Sequence, residues 1–306
     1  STFDGQGGAA RAAHRLHHSL LESSIDSRMW VSHASAGDWT VETTNTWVAK
    51  STSRLRPALV SLLGRLQRTD EPGFRSLSLL PSRWPMRINQ DRGDVYHLHW
   101  CNHEMLSIED IGRIDKPVVW TLHDMWALCG TEHYAQDDRY IEGYLGSNRP
   151  AGHAGVDLDR ITWLRKRRSW TRPFDIVVPS QWMKRCVQES ALMGDWPVHV
   201  LANPLDTESW RPIPRAAARD LLGLPKKTTL VMFGAIGGTS DQRKGFDLLQ
   251  AGLKALKRLQ PNAELVVFGQ SRPRDPQGLG FPVHYLGALQ DDLTLRAAYS
   301  LSLIHI

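Results

Sequence analysis

The chain has 306 residues, 41% apolar and 23% charged, with a formal charge of +5. That mix fits a globular protein, and no apolar run approaches the roughly 20 residues of a membrane span. Cys101, Cys129 and Cys186 are odd in number, far apart and without a CxxC pair. They exclude a disulfide framework or a cysteine-rich zinc site and fit a reducing compartment, while the positive charge favours anionic partners.

The chain opens STFDGQGGAARAAHRL, a glycine-rich loop running into a helix. Gly5, Gly7 and Ala10 have the G-x-G-x-x-A spacing, weak evidence by itself for a dinucleotide site. Residues 9–23 pattern as a helix with Ala9, Ala12, Ala13, Leu16 and Leu20 on one stripe. SRMWV (27–31) reads as a strand, but Ser32 and His33 follow it where a dinucleotide site wants an acid for the ribose, and Asp26 precedes it. What survives is a set of backbone N–H groups at a helix start, cleared of side-chain bulk at Gly7 and Gly8 and facing an anion or a sugar. Residues 33–92 are weakly patterned, with polar TVETTNT and basic STSRLRPALVSLLGRLQR, and read as an insertion or a substrate-facing loop.

DVYHLHW (94–100) and KPVVWTLHD (116–124) are strands. His97 and His99 share a face because side chains alternate. His123 and Asp124 stand where the second strand ends, the side on which parallel sheets bind ligands. A histidine there can donate a hydrogen bond to a sugar hydroxyl or stabilise developing charge. No third ligand has zinc-type spacing, so no metal is expected in this cluster. Residues 130–160 are polar and glycine-rich, a long functional or mobile loop. RKRRSW (165–170) reads as a solvated basic helix face, with an anionic membrane surface or nucleic acid as the alternative partner.

PFDIVVPS (173–180) and PVHVLAN (197–203) are strands flanking a helix that Ser180 caps. Three prolines in NPLDTESWRPIPR (203–215) mark a hinge between domains. TTLVMFGA (228–235), AELVVFGQ (263–270) and PVHYLGAL (282–289) are further strands. Between the first two, FGAIGGTSDQRKGFDLL leads from a strand through a glycine-rich loop to Arg243, Lys244 and Gly245 at a helix start. Two cations and free N–H groups there suit a diphosphate. The β–α alternation gives an α/β fold with parallel sheets.

Jointly, FDGQGGAARAAHRL, DVYHLHW, KPVVWTLHDMW, DIVVPSQWM, NPLDTESWRP, DQRKGFDLL and VHYLGAL resemble retaining GT-B glycosyltransferases of family 4, in particular the exopolysaccharide and colanic-acid-type subgroup. The resemblance covers nearly the whole chain. It implies two Rossmann-like domains facing a cleft: residues 1–203 on the acceptor side, and residues 204–300 as an incomplete domain binding the nucleotide sugar. It implies His123, with Asp124, at the transferred sugar, and Gly7 and Gly8 near the donor. Lys244 and Arg243 would hold the diphosphate, and Arg11, His97 and His99 would lie toward the acceptor. The donor would be a nucleotide diphosphate sugar and the acceptor a glycan or polyprenyl-linked glycan. No metal or other cofactor and no nucleic acid is implied. The place of work would be the cytoplasm, at the inner face of the membrane. The chain departs from the pattern where Gly234 is followed by Ala235 rather than Arg, where the segment after HDMW lacks the usual cysteines, and where NPLD replaces NG-[IV]-D.

The resemblance also implies an apolar strand before Ser1 and an ExxxxxxxE segment after the last residue. LSLIHI (301–306) matches what a common transposon-derived sequencing adapter encodes and reads as a non-native tail. Residues 1–306 alone are therefore expected to be inactive. The sequence-level rivals are an NAD(P)-dependent oxidoreductase and a non-catalytic nucleotide-sugar or glycan-binding protein.

Overall fold

Short runs of β-branched and aromatic residues form parallel strands with helices between them. A computed structural model describes residues 1–35, 37–43, 47–71, 73–234, 242–272, 279–289 and 291–301, with side chains for all but 47–54 and 242. The chain packs as two units, Ser1–Pro204 and Leu205–Ile306.

The first unit begins with α1 (Gly8–Glu22), β1 (Met29–Val31), β2 (Val41–Thr43), α2 (Trp47–Gly64), β3 (Gln67–Arg68) and α3 (Trp84–Gln90). It continues with β4 (Tyr96–Leu98), α4 (Ile108–Gly112), β5 (Val118–Thr121), α5 (Arg139–Glu142) and β6 (Ala154–Gly155), then α6 (Leu158–Ser169), β7 (Asp175–Val178), α7 (Gln181–Glu189) and β8 (Val198–Val200). Its main sheet is parallel, in the order β4-β5-β7-β8. Register pairs Tyr96 with Val118, Val119 with Asp175 and Ile176 with Val198. β1 and β2 form a second parallel pair.

Ser1–Phe3 run between β1 and β4. The Thr2 N–H donates to Trp100 O, and Thr2 O accepts from Ser32 N and His33 N. Phe3 bridges His33 in parallel. The core under the main sheet is rich in indoles: Trp120, Trp126, Trp163, Trp170 and Trp196 are buried with Ile176 and Val178. Most of the tryptophans named here therefore serve packing, where large rings bury the most area.

The second unit holds α8 (Arg215–Leu221), β9 (Leu230–Gly234), α9 (Phe246–Leu259), β10 (Glu264–Phe268), β11 (Val283–Gly287) and α10 (Asp292–Ser300). Its strands are parallel, in the order β11-β10-β9. Val266 at the centre packs with Ala218 and Ala297. The glycine-rich loop before Arg243 and all of the LSLIHI tail except Leu301 lie outside the described residues.

Three sequence expectations change. On α1 the buried residues are Ala10, Ala12, Ala13 and His17, not the stripe through Leu16 and Leu20. The helix turns because Ala13 packs against Met29 and Val31, and both His17 nitrogens find hydroxyl partners on Ser27 and Thr40. Residues 33–92 hold regular structure, including an 18-residue helix with Pro57 inside it. RKRRSW is only half a surface run: Lys166 is fully buried and Arg165 is tied to Glu109, which leaves Arg167 and Arg168 exposed.

Candidate active site

β4 and β5 lie side by side in parallel register, so the residues after them leave the sheet at one edge. His99 Nδ1 lies 3.0 Å from His123 Nε2, and His97 Nε2 lies 2.7 Å from Thr121 Oγ1. The rings of His97 and His99 are 4.3 Å apart. Burial is the main cause that pushes His97 and His123 down to about 4, and His99 lies well below the ordinary histidine value. The three imidazoles are therefore neutral at neutral pH. One nitrogen of His123 belongs to the pair with His99, and its Nδ1 is outside that hydrogen bond.

Asp124 is engaged on both oxygens. Oδ2 accepts from Trp100 Nε1 at 3.0 Å and pairs with His133 Nδ1 at 2.7 Å, and Oδ1 accepts from Trp126 N at 3.0 Å. Burial works to raise this carboxyl, but His133 and the two N–H donors outweigh it and hold it below its ordinary value. His133 Nε2 meets Ser76 Oγ at 2.8 Å. The chain Ser76–His133–Asp124–Trp100 thus locks the segment before α3 to the end of β5.

Above it lies an aromatic shelf. Phe74 stacks on His103 at 5.3 Å and tilts against Trp100 at 6.0 Å and His133 at 4.8 Å. Phe3 stacks on Trp100 at 6.2 Å. Phe74 is 48% exposed, so the shelf has an open face. It borders a cavity of about 580 Å³ lined by Val60, Arg65, Phe74, Arg75, His103 and Glu104 among others. Aromatic faces beside polar groups suit the apolar faces and hydroxyls of sugars.

The turn after Asp124 is held from below. Lys166 Nζ donates to the carbonyls of Trp126, Cys129 and Gly130. Around it, Asp159 is paired with Arg75 at 2.8 Å and accepts from Gln67 and Thr131, while Tyr144 donates to Glu132. Burial together with Asp159 raises Glu132 to about 7. Within the run 130–160, Thr131, Glu132, His133, Arg139, Tyr144, His153 and Asp159 are thus buried in a polar knot behind the site, while much of 141–157 is exposed, and composition alone does not separate the two parts.

The opening loop is fixed by Asp4, whose carboxylate accepts from Ser35 N and Ser35 Oγ at 2.7 and 2.8 Å. Gly7 sits at φ 88°, a backbone that suits glycine, and a side-chain carbon at Gly7 or Gly8 would meet no atom within 4 Å. Arg11 N closes the first turn of α1 on Gly7 O. In the second unit, Arg243 and Lys244 are exposed in a short 3₁₀ turn, and Gly245 at φ 69° leads into α9. Sequence reasoning singled out His97, His99, His123 and Asp124 but not Ser76, Phe74, His103, His133 or Lys166. Of these only His133 had a signal, its place nine residues after Asp124 in the same motif.

Residues 6–209 match the family model described as Glycosyltransferase Family 4. No curated protein matches the chain. Nineteen chains of solved structures match it. One, a glycosyltransferase from Rickettsia africae ESF-5, is 10% identical, with the match covering 98% of this chain and 69% of that one at a TM-score of 0.49.

Proposed function

The chain belongs to glycosyltransferase family 4, and we propose that it moves a sugar from a nucleotide diphosphate sugar to a glycan or polyprenyl-linked acceptor, with retention, in polysaccharide synthesis. The observation that carries this reading is the neutral His123 at the end of β5, held by His99 with Nδ1 outside that pair. A neutral imidazole donates a hydrogen bond to a sugar hydroxyl without bringing a charge of its own. Asp124 acts as a positioning residue, since its oxygens already hold Trp100, His133 and the Trp126 N–H.

In this scheme the bond from the anomeric carbon to the diphosphate breaks on the face from which the acceptor hydroxyl attacks. Arg243, Lys244 and backbone N–H groups stabilise the departing charge. The open loop at Gly7 and Gly8 lets backbone approach the donor, and Arg11 together with the shelf of Phe74 and Trp100 receives the acceptor. The cations take the electrostatic role that a metal would have at the diphosphate.

Contact with an anionic membrane belongs to α2 in this reading rather than to RKRRSW. Leu55, Leu59 and Leu62 recur at helical spacing on α2 and are 68, 57 and 59% exposed. Between Glu42 and Asp70 the chain has five cations and no acid. An apolar face with basic flanks is the pattern of an interfacial helix. Sedimentation with anionic but not neutral vesicles, lost in Leu59→Gln/Leu62→Gln, is the expected result; no sedimentation with either removes the contact.

The test of the sugar reading compares a nucleotide sugar with its bare nucleoside diphosphate by calorimetry. The intact protein is expected to gain affinity from the sugar, and His123→Ala to lose that gain. A gain unaltered by His123→Ala would contradict the assignment.

A further inference from the structure

A second cluster of titratable side chains joins α1 to the segment after β1. His14 and His18 are one helical turn apart, so their rings lie on the same face, with centroids 4.5 Å from each other. Both Nε2 atoms point at one carboxylate oxygen: His14 Nε2 is 2.9 Å and His18 Nε2 2.7 Å from Asp38 Oδ2. The three ligand atoms all lie within 4.8 Å of one another.

The carboxylate is oriented from behind. Asp38 Oδ1 accepts from Thr40 N at 2.8 Å and from Thr40 Oγ1 at 2.6 Å, which leaves Oδ2 for the histidines. Thr40 Oγ1 is also 2.9 Å from His17 Nε2, the buried histidine on the same helix. Asp38 is nearly buried, with 12% of its side chain exposed, while His14 and His18 are 27 and 41% exposed. An ion between them would have three protein ligands and one side open to solvent.

We propose that His14 Nε2, His18 Nε2 and Asp38 Oδ2 bind one first-row divalent transition ion, with zinc as the best match. Two imidazoles and one carboxylate are a borderline-soft set that suits zinc and disfavours magnesium or calcium, which take oxygen ligands. Zinc bonds to nitrogen and oxygen are about 2.0–2.2 Å, so tetrahedral ligands stand roughly 3.3 Å apart. The two spacings from histidine to Asp38 are shorter than that by about half an ångström, and the two part-exposed imidazoles can swing to admit the ion. On binding, each imidazole carries its proton on Nδ1 and turns its Nε2 lone pair to the ion. Thr40 holds the carboxylate as outer-shell groups do. The ion clips the segment after β1, which also holds Asp4 through Ser35, to α1.

The experiment uses the whole chain without a histidine tag, stripped with chelator and desalted, then titrated with zinc at neutral pH by calorimetry. One equivalent is expected to bind and to raise the melting temperature, since an ion that binds only the folded state stabilises it. His14→Gln and His18→Gln are each expected to weaken binding at least tenfold and to abolish the zinc-dependent rise, while melting like the parent in chelator. Thr40→Val is expected to cost about 10–100-fold in affinity. Absence of stoichiometric binding overturns the proposal. So does binding that both histidine variants leave intact, which would place the ion at others of the 13 histidines.

Discussion

His99 Nδ1 lies 3.0 Å from His123 Nε2, so the imidazole at the end of β5 is held by the one that follows β4. The pairing fails once both rings are charged, because two imidazolium ions would each present a donor to the other. Burial keeps them neutral. Nuclear magnetic resonance titration is expected to show His97 and His123 changing protonation near pH 4. Midpoints close to the ordinary value for an exposed histidine would contradict the geometry.

The same shifts set the acid response of the first unit. The folded pKa values lie below the unfolded one, so between about 6.5 and 4 the unfolded chain takes up protons that the folded chain refuses. Stability should therefore fall as pH drops through that window and level off below it with respect to these groups. Between pH 7 and pH 5 the loss is on the order of 2 kcal/mol per histidine, read from urea unfolding. A urea midpoint for this unit that does not change over that range would refute the prediction.

Lys166→Met tests the support behind the site. Methionine fills the space of the alkyl stem but leaves the carbonyls of Trp126, Cys129 and Gly130 without their donor. Leaving a buried acceptor without its donor costs about 1–3 kcal/mol, and three carbonyls lose theirs here. The variant is expected to unfold at much lower urea and to lose the fixed turn after Asp124. A loss under about 0.5 kcal/mol, the range of an ordinary surface change, would show that Lys166 does not hold the turn.

Much of this was legible in the sequence, and the reasons for the rest are physical. Strands such as VVWT and LVVF declared themselves because continuous apolar runs are buried on both faces. The Ser180 cap was read correctly because the side chain and the N–H it receives, that of Met183, are three residues apart. By contrast, Lys166 looked like one of four surface cations, since the carbonyls it meets are 36–40 residues away in sequence. The partnership of Ser76 with His133 spans 57 residues. His14 and His18 share a helix face, but Asp38 reaches them only through the fold. On α1 the stripe was misplaced because buried His17 counts as polar in any hydropathy pattern, although both its nitrogens are satisfied.

Gly8→Ala separates a ligand-facing loop from a plain turn. A methyl group there meets nothing within 4 Å, and alanine favours a helix over glycine by about 0.5–1 kcal/mol. Stability should hold or rise slightly. Affinity for a nucleotide sugar should fall, because the methyl group occupies the space through which backbone approaches the ligand. Unchanged affinity alongside unchanged stability would make the loop a turn without a ligand.

The most direct measurement is calorimetric titration of the intact protein and of its Lys244→Ala variant with uridine and guanosine diphosphates and their sugars, with NADH in parallel. A charge-assisted hydrogen bond is worth about 1.5–3 kcal/mol, or roughly tenfold to a hundredfold in affinity. The expected result is saturable binding of one nucleotide series, weakened by that factor in Lys244→Ala, and no binding of NADH. Binding of NADH without any nucleotide sugar, or an affinity for the diphosphate that Lys244→Ala does not change, would contradict a sugar-nucleotide transferase that works through these residues.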